Sequence, residues 1–495
     1  MSKNKQILIF SGIGLLVLGG VAAVLMLTAP EKEPDPADDT TVEEQVDERL
    51  VLTEKTAADV VSIHVKNLND EYDIVKNGEE WTISGIEGAA ILTDNLSTLV
   101  TNVSAMTADQ LVEENAADLS KYGLTAPESE VTVDYGGEKF TFLVGNETPT
   151  STSTVYFCEK DKNTVYTYKK SQISGFSNDK FSYVSTAAMP AYDQQSGEEV
   201  TKFIIERADL EEPIIIEQIP APGEDEIAVF SYELTSPYNA YADLTDAPNF
   251  IYSLFGLTAN KVAWFGMEEQ DYEISGINDP NCVFTLETTL KTYTITLGNA
   301  VAEEVADENG NVTTQIAGFY GMSSEVPDTL FLFSVDSIPA FSIQAESIIS
   351  RLFLMPYIYS LESVEYSDNK GQEFTLGFET IKGEGEDGAD IHNHYLNGEI
   401  HDEQQIKNMY QYLIAASGDD LYMEEEKGEL LATVTYNYTD EGEASDVVRF
   451  YSSDDRKVII NVNGDNLFKT KQIYMNQLYS NVESFLKGGE IVLTY

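Results

Sequence analysis

The sequence predicts an α+β protein: an N-terminal transmembrane helix followed by three tandem repeated units, each a mostly antiparallel sheet with a packed helix. Three observations carry that expectation. An uncharged, largely apolar run extends from Gln6 to Leu27. Apolar and polar residues alternate over many short segments bounded by Gly, Asn and Asp, the period-two pattern of half-buried strands. Those segments also recur along the chain at fixed offsets, which marks internal duplication.

The elements follow in chain order. Lys3 and Lys5 precede the apolar run, and Glu31, Glu33, Asp35, Asp38 and Asp39 follow it. About 20 apolar residues span a bilayer's hydrocarbon core, whereas the apolar part of a cleaved signal is usually about 7–15 residues long. Residues 6–28 are therefore expected to be a retained signal-anchor helix in contact with membrane lipid. The positive flank places residues 1–5 in the cytoplasm and the bulk of the chain outside it, as a single-pass cell-membrane protein. Residues 29–56 are rich in Pro, Asp, Glu and Thr and cannot bury enough apolar surface to offset their ordering entropy. They read as an acidic stalk.

The remainder divides into units at 57–190, 191–356 and 357–495. Gly123-Leu124-Thr125-Ala126-Pro127 aligns with Gly276-Ile277-Asn278-Asp279-Pro280 at an offset of 153. At that offset Val131, Val133, Phe140, Phe142, Val144, Gly145 and Asn146 fall on Phe284, Leu286, Tyr293, Ile295, Leu297, Gly298 and Asn299. Alternation on both sides of Gly136-Gly137 predicts a two-stranded hairpin. From Asn163/Asp328 the offset becomes 165, and the difference falls in an acidic segment around Ala302 to Asn311. Met189-Pro190 and Met355-Pro356 close the first two units. The third repeats more faintly, through Leu421 to Glu426 and hairpin-like runs from Val434 and Val447. Helices are expected from Thr93 or Asp94, with Leu96, Leu99, Val100 and Val103 buried, from about Ala247 through Leu257, and from Glu403 to Ala416.

Lys76-Asn77-Gly78-Glu79-Glu80-Trp81, Leu119-Ser120-Lys121-Tyr122-Gly123-Leu124 with Pro127, and Leu143-Val144-Gly145-Asn146-Glu147-Thr148-Pro149 are similar to the bacterial family called domain of unknown function 4340. The resemblance is clearest over the anchor and first unit and weakest over the third. It implies an envelope protein that works beside an ABC-type transporter or another envelope complex, and it assigns no catalytic residue.

Charge and composition narrow the function. The chain has 85 acidic against 29 basic residues, a net charge of −56, which excludes nucleic-acid binding through phosphate neutralisation. No phosphate-binding glycine loop is present, so no nucleotide is expected, and no cofactor is predicted. Cys158 and Cys282 occupy non-equivalent places in their units and read as two separate buried thiols, with a bridge between them the alternative that spacing leaves open. The metal-ligand candidates are His392, His394, His401 and Asp402. His-x-His on a strand points both rings to one side, and imidazoles so placed suit zinc, copper or nickel. The favoured reading is a partly exposed loop leading into a strand, because the equivalent segments Trp81 to Gly85 and Tyr232 to Ser236 have no ligands and a solvated loop, Gly383 to Gly388, precedes this one. Asp307, Asn309 and Asn311 imitate the start of a calcium loop, but Val312 and Gly318 occupy its two stringent positions. Ser367-Asp368-Asn369-Lys370 imitates penicillin-binding motifs that belong on separate elements, and reads as a turn. Many of the 28 tyrosines fall near linkers. Tyr357 and Tyr359, in the apolar stretch Ile348 to Tyr359, are the candidate interaction residues. The expected function is a non-enzymatic protein-interaction module, with binding or hydrolysis of a wall or sugar polymer as the alternative.

Overall fold

The computed structural model describes residues 50–220, 230–243, 250–306, 312–383, 390–439 and 444–495. Three antiparallel sheets follow one another along the chain. The first contains β1 (Ser62–Asn67), β2 (Glu71–Asn77), β3 (Glu80–Ile83), β4 (Gln110–Glu113), β5 (Ser129–Asp134), β6 (Lys139–Thr148), β7 (Ser151–Glu159) and β8 (Val165–Lys169). Its spatial order is β3-β2-β1-β5-β6-β7-β8-β4. The second contains β9 (Val200–Arg207), β10 (Ile214–Gln218), β11 (Tyr232–Ser236), β12 (Ala240–Tyr241), β13 (Lys261–Phe265), β14 (Cys282–Thr288), β15 (Thr292–Ala306), β16 (Val312–Ser323) and β17 (Val326–Phe333). The third contains β18 (Leu361–Asp368), β19 (Glu373–Ile381), β20 (Ile391–Leu396), β21 (Glu399–Ile400), β22 (Asp420–Leu421), β23 (Leu430–Tyr438), β24 (Asp446–Ser452), β25 (Lys457–Val462) and β26 (Asp465–Lys471). Without the two-residue outer strands β12 and β21, all three sheets have the same order.

Alternation produces this arrangement. β5 is buried at every second residue, and Val131, Val133, Phe140 and Phe142 join Ile63, Val65 and Ile74 on one face. The helix α1 (Thr93–Ser104) covers that face with Leu96, Leu99, Val100 and Val103. It carries the chain from β3 at one edge to β4 at the other. Its amino end has no side-chain cap, so neither Thr93 nor Asp94 serves as one. The short helices α2 (Lys170–Ile173) and α3 (Glu269–Ser275) belong to the first and second units. In the third, α4 (Glu403–Ile414) crosses the sheet and α5 (Gln472–Leu486) closes it. The rings of Tyr412 and Tyr474, one on each of these helices, stack 5.2 Å apart.

The fold class therefore needs correcting from α+β to mostly antiparallel β: 44% strand against 18% helix. The expected second-unit helix accounts for part of the difference. Residues 244–249 lie outside the described residues, and from Phe250 the chain makes three-residue turns, Ser253 N–H to Phe250 O and Phe255 N–H to Tyr252 O. Gly256, at φ +71°, ends them. Phe250, Leu254 and Leu257 are still buried, so the apolar spacing reported burial rather than a helix.

The membrane reading is corrected as well. The expected anchor at residues 6–28 lies outside the described residues, as does the stalk up to residue 49. Among the described residues no helix is long and apolar enough to cross a membrane. The longest, α5, has 15 residues and carries Gln, Asn, Ser and Glu side chains, short of the about 20 apolar residues a span needs. Single-pass anchorage, and the localisation and lipid contact that rested on it, have no support in the structure. The last part of the expected stalk is ordered against the first unit. Leu52 N–H donates to Met106 O at 2.8 Å, and Leu50 O accepts from Ala108 at 2.8 Å.

The units are joined by backbone pairing and a continuous apolar core. At the first junction Ala188 and Met189 N–H both donate to Leu257 O, and Gly256 N–H donates to Pro190 O at 2.7 Å. Phe181 meets Trp264 with ring centres 5.4 Å apart. At the second, Gly418 N–H donates to Arg351 O at 3.0 Å, and the Phe353 and Phe468 ring centres lie 6.4 Å apart.

Candidate functional site

The histidine cluster forms at the start of the third unit. β20 lies antiparallel to β19, with His394 opposite Phe378 and His392 opposite Thr380. The two imidazoles share a strand face, and Tyr359 reaches both. Its ring stacks on His392 at 3.8 Å and meets His394 edge-on at 6.4 Å. Lys407 Nζ lies 5.4 Å from the Tyr359 ring and pairs with Glu403 at 2.6 Å. His392 Nδ1 is 3.0 Å from Thr380 Oγ1. His394 is 3% exposed, and among the described residues its Nε2 has no hydrogen-bond partner. Burial holds the His394 pKa below its ordinary value.

His401 and Asp402 have other partners. The His401 backbone N–H donates to His394 O at 2.8 Å, but its ring nitrogen Nε2 lies 3.1 Å from Gln405 Oε1. The His401 ring also sits edge-on to Phe485, 5.8 Å away. Asp402 caps α4, its carboxylate accepting from Gln405 N–H at 2.9 Å. Among the described residues no group of three or more His, Cys, Asp or Glu side chains is placed to hold a metal ion. The calcium-like residues Asp307, Asn309 and Asn311 lie outside the described residues. The Tyr357 and Tyr359 rings meet at 5.5 Å and 78°, and both are half-buried. Cys158 and Cys282 are buried and unpaired, with burial raising their pKa values to about 11 and about 12.

The repeated signature has an architectural geometry. Gly123 and Gly276 end short helical turns at φ +75° and +74°, a conformation that side chains disfavour. Gly145 on β6 lies beneath the first turn, where an added Cβ would come within 2.2 Å of Tyr122 O. Gly298 on β15 lies beneath the second, where a Cβ would come within 2.1 Å of Ser275 O. Asn299 Nδ2 donates to Ile274 O at 2.9 Å and ties strand to turn. Tyr122 and Leu124 meanwhile pack with Ala116, Cys158 and Val165 in a small second core. The shared residues thus clamp a turn onto a sheet.

A family comparison decides the resemblance. Residues 81–275 match the family described as Domain of unknown function (DUF4340). The resemblance is shown. The match runs from β3 into α3, so it contains the first clamp and the junction between the first two units. No curated protein and no solved structure matches the chain.

Two features escaped sequence reasoning. One is a cleft of about 730 Å³ in the first unit, lined by Asp109, Gln110, Thr148, Thr154, Tyr156 and Lys169 among others. Its hydroxyl groups come from separate strands, so no local motif announces it. The other is the outer half of β15 and β16, where Val312 and Ile316 are exposed. The change of offset from 153 to 165 located that insertion but did not show which side chains it presents.

Proposed function

We propose that the chain is a non-enzymatic protein-interaction module, a three-sheet scaffold that docks on a partner with a basic face. One observation carries the reading: the residues repeated between the first two units serve packing, and the units differ in what they add at sheet edges and hairpin ends. A reaction site needs convergent acids, bases or nucleophiles. Here the histidine and carboxylate candidates are engaged separately, in ring stacking, helix capping and ion pairing. The net charge of −56 favours a cationic partner and suppresses non-specific contacts. A component of an ABC-type transporter assembly, the partner class implied by the resemblance, is the first to test. Whole-cell crosslinking of a tagged full chain should then yield a stoichiometric protein complex. A chain that remains free at its natural abundance overturns the reading.

The cleft favours a second reading, as a polymer-binding surface. Its threonine hydroxyls and the Tyr156 ring match the donors, acceptors and flat apolar surface that sugars use. Among the described residues Asp109 is its only lining carboxylate, whereas glycoside hydrolysis ordinarily uses two, so binding without cleavage is the form this reading takes. Titration with soluble glycan fragments separates the two, because docking predicts no saturable signal.

A further inference from the structure

We infer that the free end of the β15–β16 ribbon is a docking arm whose apolar face seats in a partner-protein groove rimmed by lysine or arginine. The inference rests on the docking reading above and assigns its contact surface. β14 pairs with β15 only as far as Leu297, and β17 pairs with β16 only from Phe319 inward. Beyond those points, among the described residues, β15 and β16 pair only with each other, through Ala302–Ile316, Glu303–Gln315, Glu304–Thr314, Val305–Thr313 and Ala306–Val312. All ten of these residues are exposed.

Opposite residues in an antiparallel pair share a face. One face of the ribbon therefore carries Ala302, Ile316, Ala306 and Val312 around the central pair Glu304–Thr314. Ile316 is 56% and Val312 60% exposed. An isolated two-stranded ribbon is at best marginally stable in water. Proteins usually protect unpaired edges with lysine, proline or a covering element. No lysine or arginine occurs between Lys291 and Arg351, and no proline lies in either strand of the arm. An exposed, largely apolar face on a ribbon whose only charges are Glu303 and Glu304 among its paired residues fits a surface that becomes covered on association.

Charge selects the occupant. Glu303 and Glu304 lie on opposite faces of the arm, so any groove that encloses it meets both carboxylates. A second copy would bring another −56 to the contact, and like-charge juxtaposition opposes that pairing. A groove with apolar walls and cationic rims satisfies both features. The unpaired strand edges can add main-chain hydrogen bonds to an extended segment of the partner.

The test places a photoreactive phenylalanine analogue at Thr314 of the full chain, in the cells that produce it. Irradiation should give one adduct with another protein, and the crosslinked segment should contain apolar residues beside Lys or Arg. The paired variants Val312→Thr with Ile316→Thr, and Glu303→Lys with Glu304→Lys, should each lower its yield about tenfold, equivalent to about 1.4 kcal/mol. Both should melt with the parent chain, which separates lost docking from lost fold. The same analogue at Leu68, exposed in the first unit, should give no such adduct. Adducts only with a second copy, with a segment lacking basic residues, equally from Leu68, or not at all overturn the inference. So does a yield unchanged in the variants. If whole-cell crosslinking finds a partner while Thr314 gives no adduct, docking stands and the arm does not mediate it.

Discussion

The β6–β7 hairpin of the first unit and the β15–β16 hairpin of the second begin alike and end differently. Each leaves the sheet at a Gly-Asn pair, Gly145-Asn146 or Gly298-Asn299, packed beneath a glycine-ended turn. β6 then stops at Thr148, which pairs with Ser151 across a short connection. β15 continues to Ala306. Up to the glycine, both hairpins are constrained by contact with the turn above. From Ala302 outward, among the described residues, β15 and β16 pair only with each other. The difference separates residues that build the fold from residues available to something outside it.

The largest effect should come from breaking the clamp. Gly298→Ala places a methyl group against a backbone carbonyl that has little freedom to retreat, and Gly145→Ala does the same in the first unit. Each should cost about 3 kcal/mol or more, seen in calorimetry as a lowered transition for the affected unit. Similar melting of both variants and the parent would mean that the turns are not clamped as described.

A smaller effect should come from Tyr359, the nearest contrast to the exposed arm because its contacts lie within the chain. Tyr359→Ser removes the stack on His392 and the Lys407 contact. Aromatic stacking contributes about 0.5–1.5 kcal/mol and a cation over a ring about 0.5–1 kcal/mol, so a loss of about 1–2 kcal/mol is expected in denaturant unfolding. No measurable loss would return the ring to the pool of interface candidates.

These contrasts also show what was legible in the sequence. Val131, Val133, Phe140 and Phe142 read as one hairpin because strand alternation is local. The buried stripe of α1 was legible for the same reason. The helix content was not, since Phe250, Leu254 and Leu257 are buried from turns, and Ser174–Ser177, Lys180–Tyr183 and Pro339–Ser342 are single three-residue-repeat turns. Periodicity shows which residues face inward but does not distinguish a short helix from successive turns. At the candidate site, His392 and His394 could be placed on one face from their spacing. Their neighbour Tyr359 comes from a distant linker, and the separation of His401 from them depends on Gln405 and Phe485. Such partners are set by tertiary packing and leave no local signature.

His394 gives a finer, pH-dependent contrast. Its burial lowers the folded pKa below 6.5, so the unfolded chain binds the proton more readily. The stability this contributes is present above about pH 6.5 and is lost as pH falls through the lower folded value. The parent should therefore lose Tm more steeply than His394→Gln below about pH 6.5, with parallel profiles above it. The charge of the other side chains is common to both proteins and cancels in the comparison. Parallel profiles throughout would mean that His394 accepts its proton without leaving its place.

The smallest effect should belong to the arm, and it bears most directly on the difference between the hairpins. Val312→Thr with Ile316→Thr keeps two β-branched residues, so strand propensity is nearly unchanged. Both side chains are exposed in the isolated chain, at 60% and 56%, so little apolar burial can be lost. Surface substitutions of this kind usually stay within about 0.5 kcal/mol. Equilibrium unfolding of the pair should therefore overlay the parent, in contrast to Gly298→Ala on the same hairpin. Hydrogen exchange supplies an independent measurement. Amides on the unpaired edges beyond Leu297 should exchange early, whereas the inner part of β15, flanked by β14 and β16, should exchange only with unfolding of the sheet. If the double variant lowers stability as much as a core truncation, the arm's apolar face is already covered by its own chain. It would then belong with the clamp, and the distinction between the two hairpins would be one of length alone.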